Sequence, residues 1–408
     1  MERSKFVIIG GGMVAGYAAR DLVEMGMKPG ELAILSKDTS VPYERPPLSK
    51  GFLLGREEEA GIRISPEEFY EQHGIEVRLG CGVTAIDTTG RGITLETGGP
   101  FGYEQLIVAT GSRSRRLSVP GSELPNVLYL RSIDDSKRIR EAAKNAKRAV
   151  VLGGGFIGME VASVLTQLGV ETTMAMPDER VWKRLFTPEM SAFFEGYYAD
   201  RGVRFAHGAR LVSLAGKATV GTAVFTDGQA LACDLLVAGI GAAPNTEFLK
   251  GSGLEVNNGV VVDEYLETSV AGVFAAGDIA NYPDLLFGKR RRVEHWDNAV
   301  AQAQHLARVL MGERVPFQHV PYFFSDVFDL SYELWGDAEG ADDVLYRGDC
   351  RTSSFSTWWM KSGKVIAAFV MNRPDGEREW APKLIEGQTS VHRGKLADEG
   401  VPVADAGM

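Results

Sequence analysis

The apolar residues of this chain gather in short unbroken runs that stop at glycines. Phe6-Val7-Ile8-Ile9 runs into Gly10-Gly11-Gly12-Met13-Val14-Ala15-Gly16, and Ala149-Val150-Val151-Leu152 runs into Gly153-Gly154-Gly155-Phe156-Ile157-Gly158. Four such residues in a row predict a buried strand, and Met159 to Leu168, apolar at helical spacing, predicts the helix that follows the second loop. Further buried strands are expected at Glu31 to Leu35, Tyr103 to Val108, Glu171 to Met176 and Gly272 to Ala276, and the stretch Leu235 to Asn245 closes the inserted unit and leads back. From Val320 onward the pattern changes. Ser354 to Met360 and Lys364 to Val370 predict antiparallel strands joined at Lys361-Ser362-Gly363.

A strand, a glycine turn and a helix in that order make a loop that holds a dinucleotide. Gly10, Gly12 and Ala15 in the first loop, and Gly153, Gly155 and Gly158 in the second, follow the G-x-G-x-x-G/A spacing. Glycine permits the tight turn and lets bare backbone reach a pyrophosphate at the positive end of the helix. One such loop alone is a weak signal; here both have the strand before and the helix after. Two loops suggest two nucleotides, a flavin and a nicotinamide. Asp38, beyond the strand at Glu31 to Leu35, stands where a carboxylate accepts hydrogen bonds from an adenosine ribose, the alternative being a solvated strand end. Ala109-Thr110-Gly111 is a small-residue turn that lets backbone cross close to a cofactor. Asp278 either accepts from ribityl hydroxyls or caps a following helix. The expected fold is α/β: two Rossmann-like, doubly wound, three-layer nucleotide-binding domains, the second inserted in the first, plus a C-terminal α+β domain. The bounds read as 1–112 and 243–320 for the FAD-binding domain, 113–242 for the NAD(H)-binding domain and 321–408 for the C-terminal domain.

Composition narrows the chemistry. With 408 residues, two or three domains are expected, and 44% hydrophobic content is enough to fill them. A net charge of −10 gives no support to nucleic-acid binding as the main activity. Cys81, Cys233 and Cys350 lie far apart, which fits a reducing compartment and leaves no C-x-x-C pair to relay electrons from a flavin. The start, Met1-Glu2-Arg3-Ser4-Lys5, reads straight into the first strand without a leader pattern, and no apolar run approaches membrane-spanning length. A cytoplasmic protein without a metal site is expected.

Taken together, Gly10 to Ala19, Pro42-Tyr43-Glu44-Arg45-Pro46-Pro47-Leu48-Ser49-Lys50, Ala109 to Gly111, Gly153 to Glu160, Ala275 to Asp278 and Val293 to Ala299 resemble a known family over essentially the whole chain. They are similar to the FAD-dependent pyridine nucleotide oxidoreductases of the ferredoxin reductase, monodehydroascorbate reductase and apoptosis-inducing-factor group. The resemblance implies that Arg45, Lys50 and Arg131 contact the flavin, and that Asp278 meets its ribityl chain or phosphate. It implies that Glu294, His295 and Trp296 cross the flavin's pyrimidine end, and that Met13 belongs to the first loop's site. Glu160 then stands on the nicotinamide side, paired with Lys50, in a site that includes Ile157 and Gly241. Lys50 and Glu160 are the catalytic candidates, because a lysine beside the isoalloxazine stabilises negative charge as hydride arrives.

Asp178, after the strand at Glu171 to Met176, favours NADH by binding ribose hydroxyls and repelling a 2′-phosphate. Arg180, Lys183 and Arg184 leave NADPH possible. The expected sequence is hydride from NADH to FAD, then single electrons to an acceptor of the ferredoxin or rubredoxin type. Monodehydroascorbate radical or a quinone is the alternative, and a redox-sensing NADH-binding flavoprotein of the apoptosis-inducing-factor type is a reading of another class. On the acceptor side, the positions that carry an arginine and a tyrosine in monodehydroascorbate reductases are Val300 and Phe324 here, which removes a charge partner and a hydroxyl donor for a small anion. The basic run Lys289-Arg290-Arg291-Arg292 is either a dock for an acidic redox protein or a solvated loop. The protein is expected to be a monomer or homodimer.

Overall fold

In the computed structural model, which describes residues 2–407, Phe6 to Ile9 are each at most 3% exposed. At roughly 1.5–3 kcal/mol per fully buried large apolar side chain, that short run anchors its sheet. The chain divides into two compact units. The first comprises the residues up to Arg45, Glu59–Arg113 and Ala242–Pro321; the second comprises Pro46–Glu58, Ser114–Gly241 and the chain from Tyr322 onward.

In the first unit, Glu2–Ile9 lies between Leu32–Leu35 and Phe101–Val108, parallel to both. Glu76–Arg78 extends the sheet beyond Leu32–Leu35, and Val273–Ala275 pairs in parallel with Phe101–Val108. Gly92–Leu95 and Val83–Asp87 complete it as antiparallel strands. Neighbours of Glu2–Ile9 therefore run outward in opposite directions, and ligands bind at the carboxyl ends of strands at such a switch point. The first loop leaves from there into helix Met13–Glu24, which packs against helix Trp296–Leu310.

The second unit repeats this plan. Its parallel sheet runs in the order Arg204–Ala206, Glu171–Ala175, Arg148–Leu152, Leu235–Ala238 and Val127–Leu128, and the second loop leaves Arg148–Leu152 into helix Phe156–Gln167. Pro46–Glu58 joins this unit through bonds to helix Ile133–Asn145: Ser136 Oγ donates to Leu48 O (2.8 Å) and Arg140 Nη1 to Phe52 O (3.2 Å).

From Tyr322 the unit adds a five-stranded antiparallel sheet in the order Tyr322–Val327, Leu330–Gly336, Lys364–Met371, Phe355–Lys361 and Asp343–Gly348, with helix Asp375–Glu386 packed on it. The expected hairpin is present, Lys361 pairing Lys364 across a two-residue turn in which Ser362 (φ 50°) and Gly363 (φ 76°) are both left-handed. Buried Arg347 holds the last segment: it donates to Glu377 Oε1 (3.1 Å) and to the carbonyls of Leu396, Asp398 and Val401. Among the described residues no helix is long and apolar enough to cross a membrane.

Candidate active site

The first loop is shaped by what touches its glycines. Gly10 has φ 118°, and a Cβ there would lie 2.2 Å from the Ala109 carbonyl oxygen; one at Gly11 would lie 2.2 Å from Ser36 Oγ. The Ala109-Thr110-Gly111 crossing therefore runs directly over the loop, and only glycine leaves room for it. Asn245 fixes the crossing by exchanging bonds with Thr110, Asn245 Nδ2 donating to Thr110 O (2.8 Å) and Thr110 Oγ1 to Asn245 O (3.0 Å). Asp278 Oδ2 accepts from Ser112 Oγ at 2.7 Å. The cap alternative for Asp278 is not realised, because Asp278 lies inside the 3₁₀ turn Gly277–Ile279 and strand Ala280–Asp284 follows rather than an α-helix. Met13 and Ala15 are buried in the helix start, and half-buried Asp38 accepts from the Tyr43 hydroxyl at 2.8 Å.

A dinucleotide fits this loop. Helix Met13–Glu24 has Gly12 at its N-cap, no side-chain cap and no acidic residue in its first turn. A Cβ at Gly12 would meet only the Arg45 guanidinium, at 3.7 Å. An uncapped, positively polarised helix end beside an arginine is a donor set for a pyrophosphate. Two helices of the second unit carry side-chain caps instead: Ser132 and Asp135 form a capping box on Ile133–Asn145, with Arg131 N–H donating to Asp135 Oδ2, and Thr187 caps Pro188–Ala199.

Also in the first unit, Glu294 pairs with Arg292, His295 is the N-cap residue of Trp296–Leu310, and Trp296 Nε1 donates to Glu44 Oε2 at 2.5 Å. Tyr17 donates to the other Glu44 oxygen, also at 2.5 Å, and burial with that carboxylate beside it raises the phenol's pKa. The basic run is largely engaged at home. Arg290 donates to Val262 O and Asn281 O, Arg291 pairs with Asp284 (3.0 Å), and Arg292 also donates to Asp278 O.

The second loop has the same design. A Cβ at Gly153 (φ 106°) would lie 2.3 Å from Gly239 O, and one at Gly158 would lie 2.0 Å from Gly153 O. Gly155, the uncapped N-cap, has nothing within 4 Å of its would-be Cβ, so this helix end stands open to a second pyrophosphate. Ile157, 40% exposed, lies on the opening turn, and Gly241 (φ 99°) accepts from Arg115 N–H. Beyond strand Glu171–Ala175, Asp178 is exposed and its carboxylate has no partner among the described residues. Arg180 is tied to Phe186 O, Ser191 Oγ and Lys183 O, and Lys183 to Glu179 (2.7 Å). Of the three basic residues there, only Arg184 is exposed and without a partner among the described residues.

Glu160 brings the catalytic candidates together. It is 3% exposed on the helix after the second loop; its Oε1 accepts from Lys50 Nζ (2.7 Å) and Ser325 Oγ (2.6 Å), and its Oε2 from Ser49 Oγ. A buried carboxylate needs this set, since an unpaired one costs several kcal/mol. Lys50 also stands over the Phe324 ring at 5.5 Å, and Tyr322 stacks on Phe324 at 6.2 Å. Lys50, Glu160 and Phe324 thus share one cluster, whereas Val300 belongs to the other unit. Ser49, Ser325, Glu44 and Tyr17 were not singled out as site residues by sequence reasoning; Tyr17, Glu44 and Ser49 sit inside segments that carry the resemblance and Ser325 beside Phe324, but only the fold shows that the two serines converge on Glu160. Cys81, Cys233 and Cys350 are all free, and burial pushes the Cys233 thiol up to about 11 and raises that of Cys350.

Two uncapped glycine loops on matching sheets and a buried lysine–carboxylate pair define a flavoprotein oxidoreductase that is FAD-dependent and takes its electrons from NAD(P)H. Residues 4–303 match the pyridine nucleotide-disulphide oxidoreductase family and residues 322–406 the reductase C-terminal family. The chain belongs to the pyridine nucleotide-disulphide oxidoreductase family. Monodehydroascorbate reductase of Pisum sativum is 36% identical over 98% of both chains, and the seedling isozyme of Cucumis sativus 37% identical over 99% of both. The ferredoxin reductase for the CYP199A2 system from Rhodopseudomonas palustris superposes with a TM-score of 0.94 at 34% identity, covering 99% of this chain and 100% of that one. Putidaredoxin reductase, in its covalent complex with putidaredoxin, gives the same score at 31% identity, covering 100% and 98%.

Proposed function

We propose that the protein oxidises NADH and passes electrons singly from bound FAD to a small iron-sulfur protein of the ferredoxin or rubredoxin type, in the cytoplasm. The observation that carries the exit route is the state of the cysteines: three free thiols, none near another in sequence, provide no dithiol relay, so electrons leave the flavin directly. FAD, when bound, supplies the conversion of a two-electron donation into one-electron departures.

The rest falls to the protein. In this reading residues 1–112 and 243–320 hold FAD, 113–242 hold NADH, and 321–408 carry the acceptor side. The Gly10 loop, Asp38, Arg45, Thr110, Gly111 and Asp278 grip FAD, with Arg131, Glu294, His295 and Trp296 toward its ring. The Gly153 loop, Ile157, Glu160 and Gly241 bind NADH. Asp178 favours NADH over NADPH because Arg180 and Lys183 are engaged elsewhere, leaving, of these three basic residues, Arg184 without a partner among the described residues for a 2′-phosphate. Lys50, its charge held in place by Glu160, favours the electron-rich ring.

The curated relatives favour a second reading, reduction of monodehydroascorbate radical. Against it stand Val300 and the ring of Phe324, neither of which pairs with a small anion's charge. The test is an acceptor panel: NADH-reduced holoenzyme against ferredoxin from the same source, monodehydroascorbate radical and a benzoquinone. Ferredoxin should be reduced more than tenfold faster than the others. Rates within one order of magnitude for all three refute the assignment.

A further inference from the structure

Helix Phe156–Gln167 lays one face along strand Tyr322–Val327 and the turn after it. The Phe156 ring meets Phe323 with centroids 3.4 Å apart, Glu160 Oε1 accepts from Ser325 Oγ at 2.6 Å, and Ser163 Oγ accepts from Phe328 N–H at 2.8 Å. Positions 156, 160 and 163 share a helix face, and 323 and 325 share a strand face. The residues between point the other way, where Tyr322 and Phe324 stack. Consecutive residues of this strand, Phe324 and Ser325, therefore serve opposite sides.

Ser325 has a particular effect on Glu160. A carboxylate has about four acceptor positions, two on each oxygen. Oε1 is filled by Lys50 and Ser325, and Oε2 takes Ser49, so one position remains, on Oε2. We propose that Ser325 is a positioning residue of the pyridine-nucleotide site: by sharing Oε1 with Lys50 it fixes the rotation of the Glu160 carboxylate, keeping the last acceptor position on Oε2 for an N–H donor of the nucleotide's carboxamide. The strand beside the acceptor side thereby tunes the donor side. The inference rests on the reading that Glu160 faces the nicotinamide.

Ser325 is fully buried, so water does not substitute for its hydroxyl. The replacement at hand is Tyr332, which pairs with Ser325 across the sheet and is itself buried. The experiment therefore uses Ser325→Ala in wild-type and in Tyr332→Phe backgrounds, with NAD⁺ titrated into the oxidised holoenzyme and followed by flavin absorbance and calorimetry. Ser325→Ala with Tyr332→Phe should raise the NAD⁺ Kd about tenfold, the change that losing about 1.4 kcal/mol produces. KM for NADH should rise with kcat nearly unchanged, and Ser325→Thr should restore both to within twofold. Ser163→Ala, which breaks a bond between the same helix and the residue just past the strand without touching Glu160, should lower Tm and leave Kd unchanged.

Glu160→Gln separates the two ways of failing. If it weakens NAD⁺ binding while Ser325→Ala does not in either background, the positioning role is overturned and the Glu160 reading stands. If Glu160→Gln leaves Kd unchanged, both fall. Equal losses of affinity in Ser163→Ala and Ser325→Ala also overturn the proposal, because then only the packing matters.

Discussion

Replacing Lys50 with methionine removes one charge and keeps the side chain's length. At 2.7 Å and an effective dielectric of about 20, Lys50 and Glu160 attract by about 6 kcal/mol before the cost of burying them is set against it. Breaking a buried pair from one side generally costs about 3–5 kcal/mol, because the abandoned charge stays inside. Here the carboxylate keeps two hydroxyl donors, Ser49 and Ser325, which places the loss at the lower end of that range. The expected loss is about 3 kcal/mol, or roughly 6–12 °C in the Tm of a unit of this size.

Calorimetry in excess FAD measures it, with Glu160→Gln and the double variant completing a cycle. Both single variants should be less stable than the protein with both changes, with a coupling of at least about 2 kcal/mol, since the double variant leaves no buried charge unpaired. The cation–π contact of Lys50 with Phe324 contributes about 0.5–1 kcal/mol, and it is isolated by Lys50→Met in the Glu160→Gln background. A coupling below about 0.5 kcal/mol would refute the pairing.

The second loop offers a matched contrast. Gly158→Ala places a Cβ 2.0 Å from Gly153 O and should lower stability and nucleotide affinity together, whereas Gly155→Ala meets nothing within 4 Å and should leave Tm within about 1 °C while raising the NAD⁺ Kd; equal effects on Tm would contradict the loop geometry. His305 supplies a pH test. It is 8% exposed and its Nε2 has no hydrogen-bond partner among the described residues, so burial lowers its pKa from 6.5 to about 4. Between those values the unfolded chain binds the proton and the folded one does not, so stability is lost as pH falls from 6.5 to 4, by about 3 kcal/mol in all. His305→Leu should flatten that limb in urea titrations run at successive pH values, and an unchanged slope would show that another group is responsible.

Much of the frame was legible because its signals are local. Phe6 to Ile9 and Ala149 to Leu152 announce buried strands, the glycines after them announce turns, and Lys361-Ser362-Gly363 announces a hairpin; each depends on residues within a dozen positions. Asp278 shows the limit. A carboxylate at a strand end serves a cap or a ligand equally well, and what excludes the cap is the strand that follows, which pairs with Val260–Val261 and Lys289–Arg291. The basic run Lys289 to Arg292 likewise looks like a docking patch until Asp284 and the carbonyls of Val262 and Asn281 are seen to engage it. Ser325 lies 165 positions from the carboxylate it serves, and nothing in its neighbours announces that partnership. Glu44 is the same case, joining Tyr17 and Trp296 from two distant helices.

The alternation along Tyr322–Val327 bears on how such a protein changes partner. Substitutions at 322, 324 and 326 rework one surface and leave the helix seam at 323 and 325 as it was, so, in the proposed reading that sets the acceptor beside Phe324, a lineage can exchange its oxidant by point mutation without disturbing its reductant. An insertion or deletion of one residue ahead of the strand is another matter. It turns every side chain over, bringing an aromatic against the buried carboxylate and exposing the serine. Divergence here is open to changes of letter and closed to changes of length.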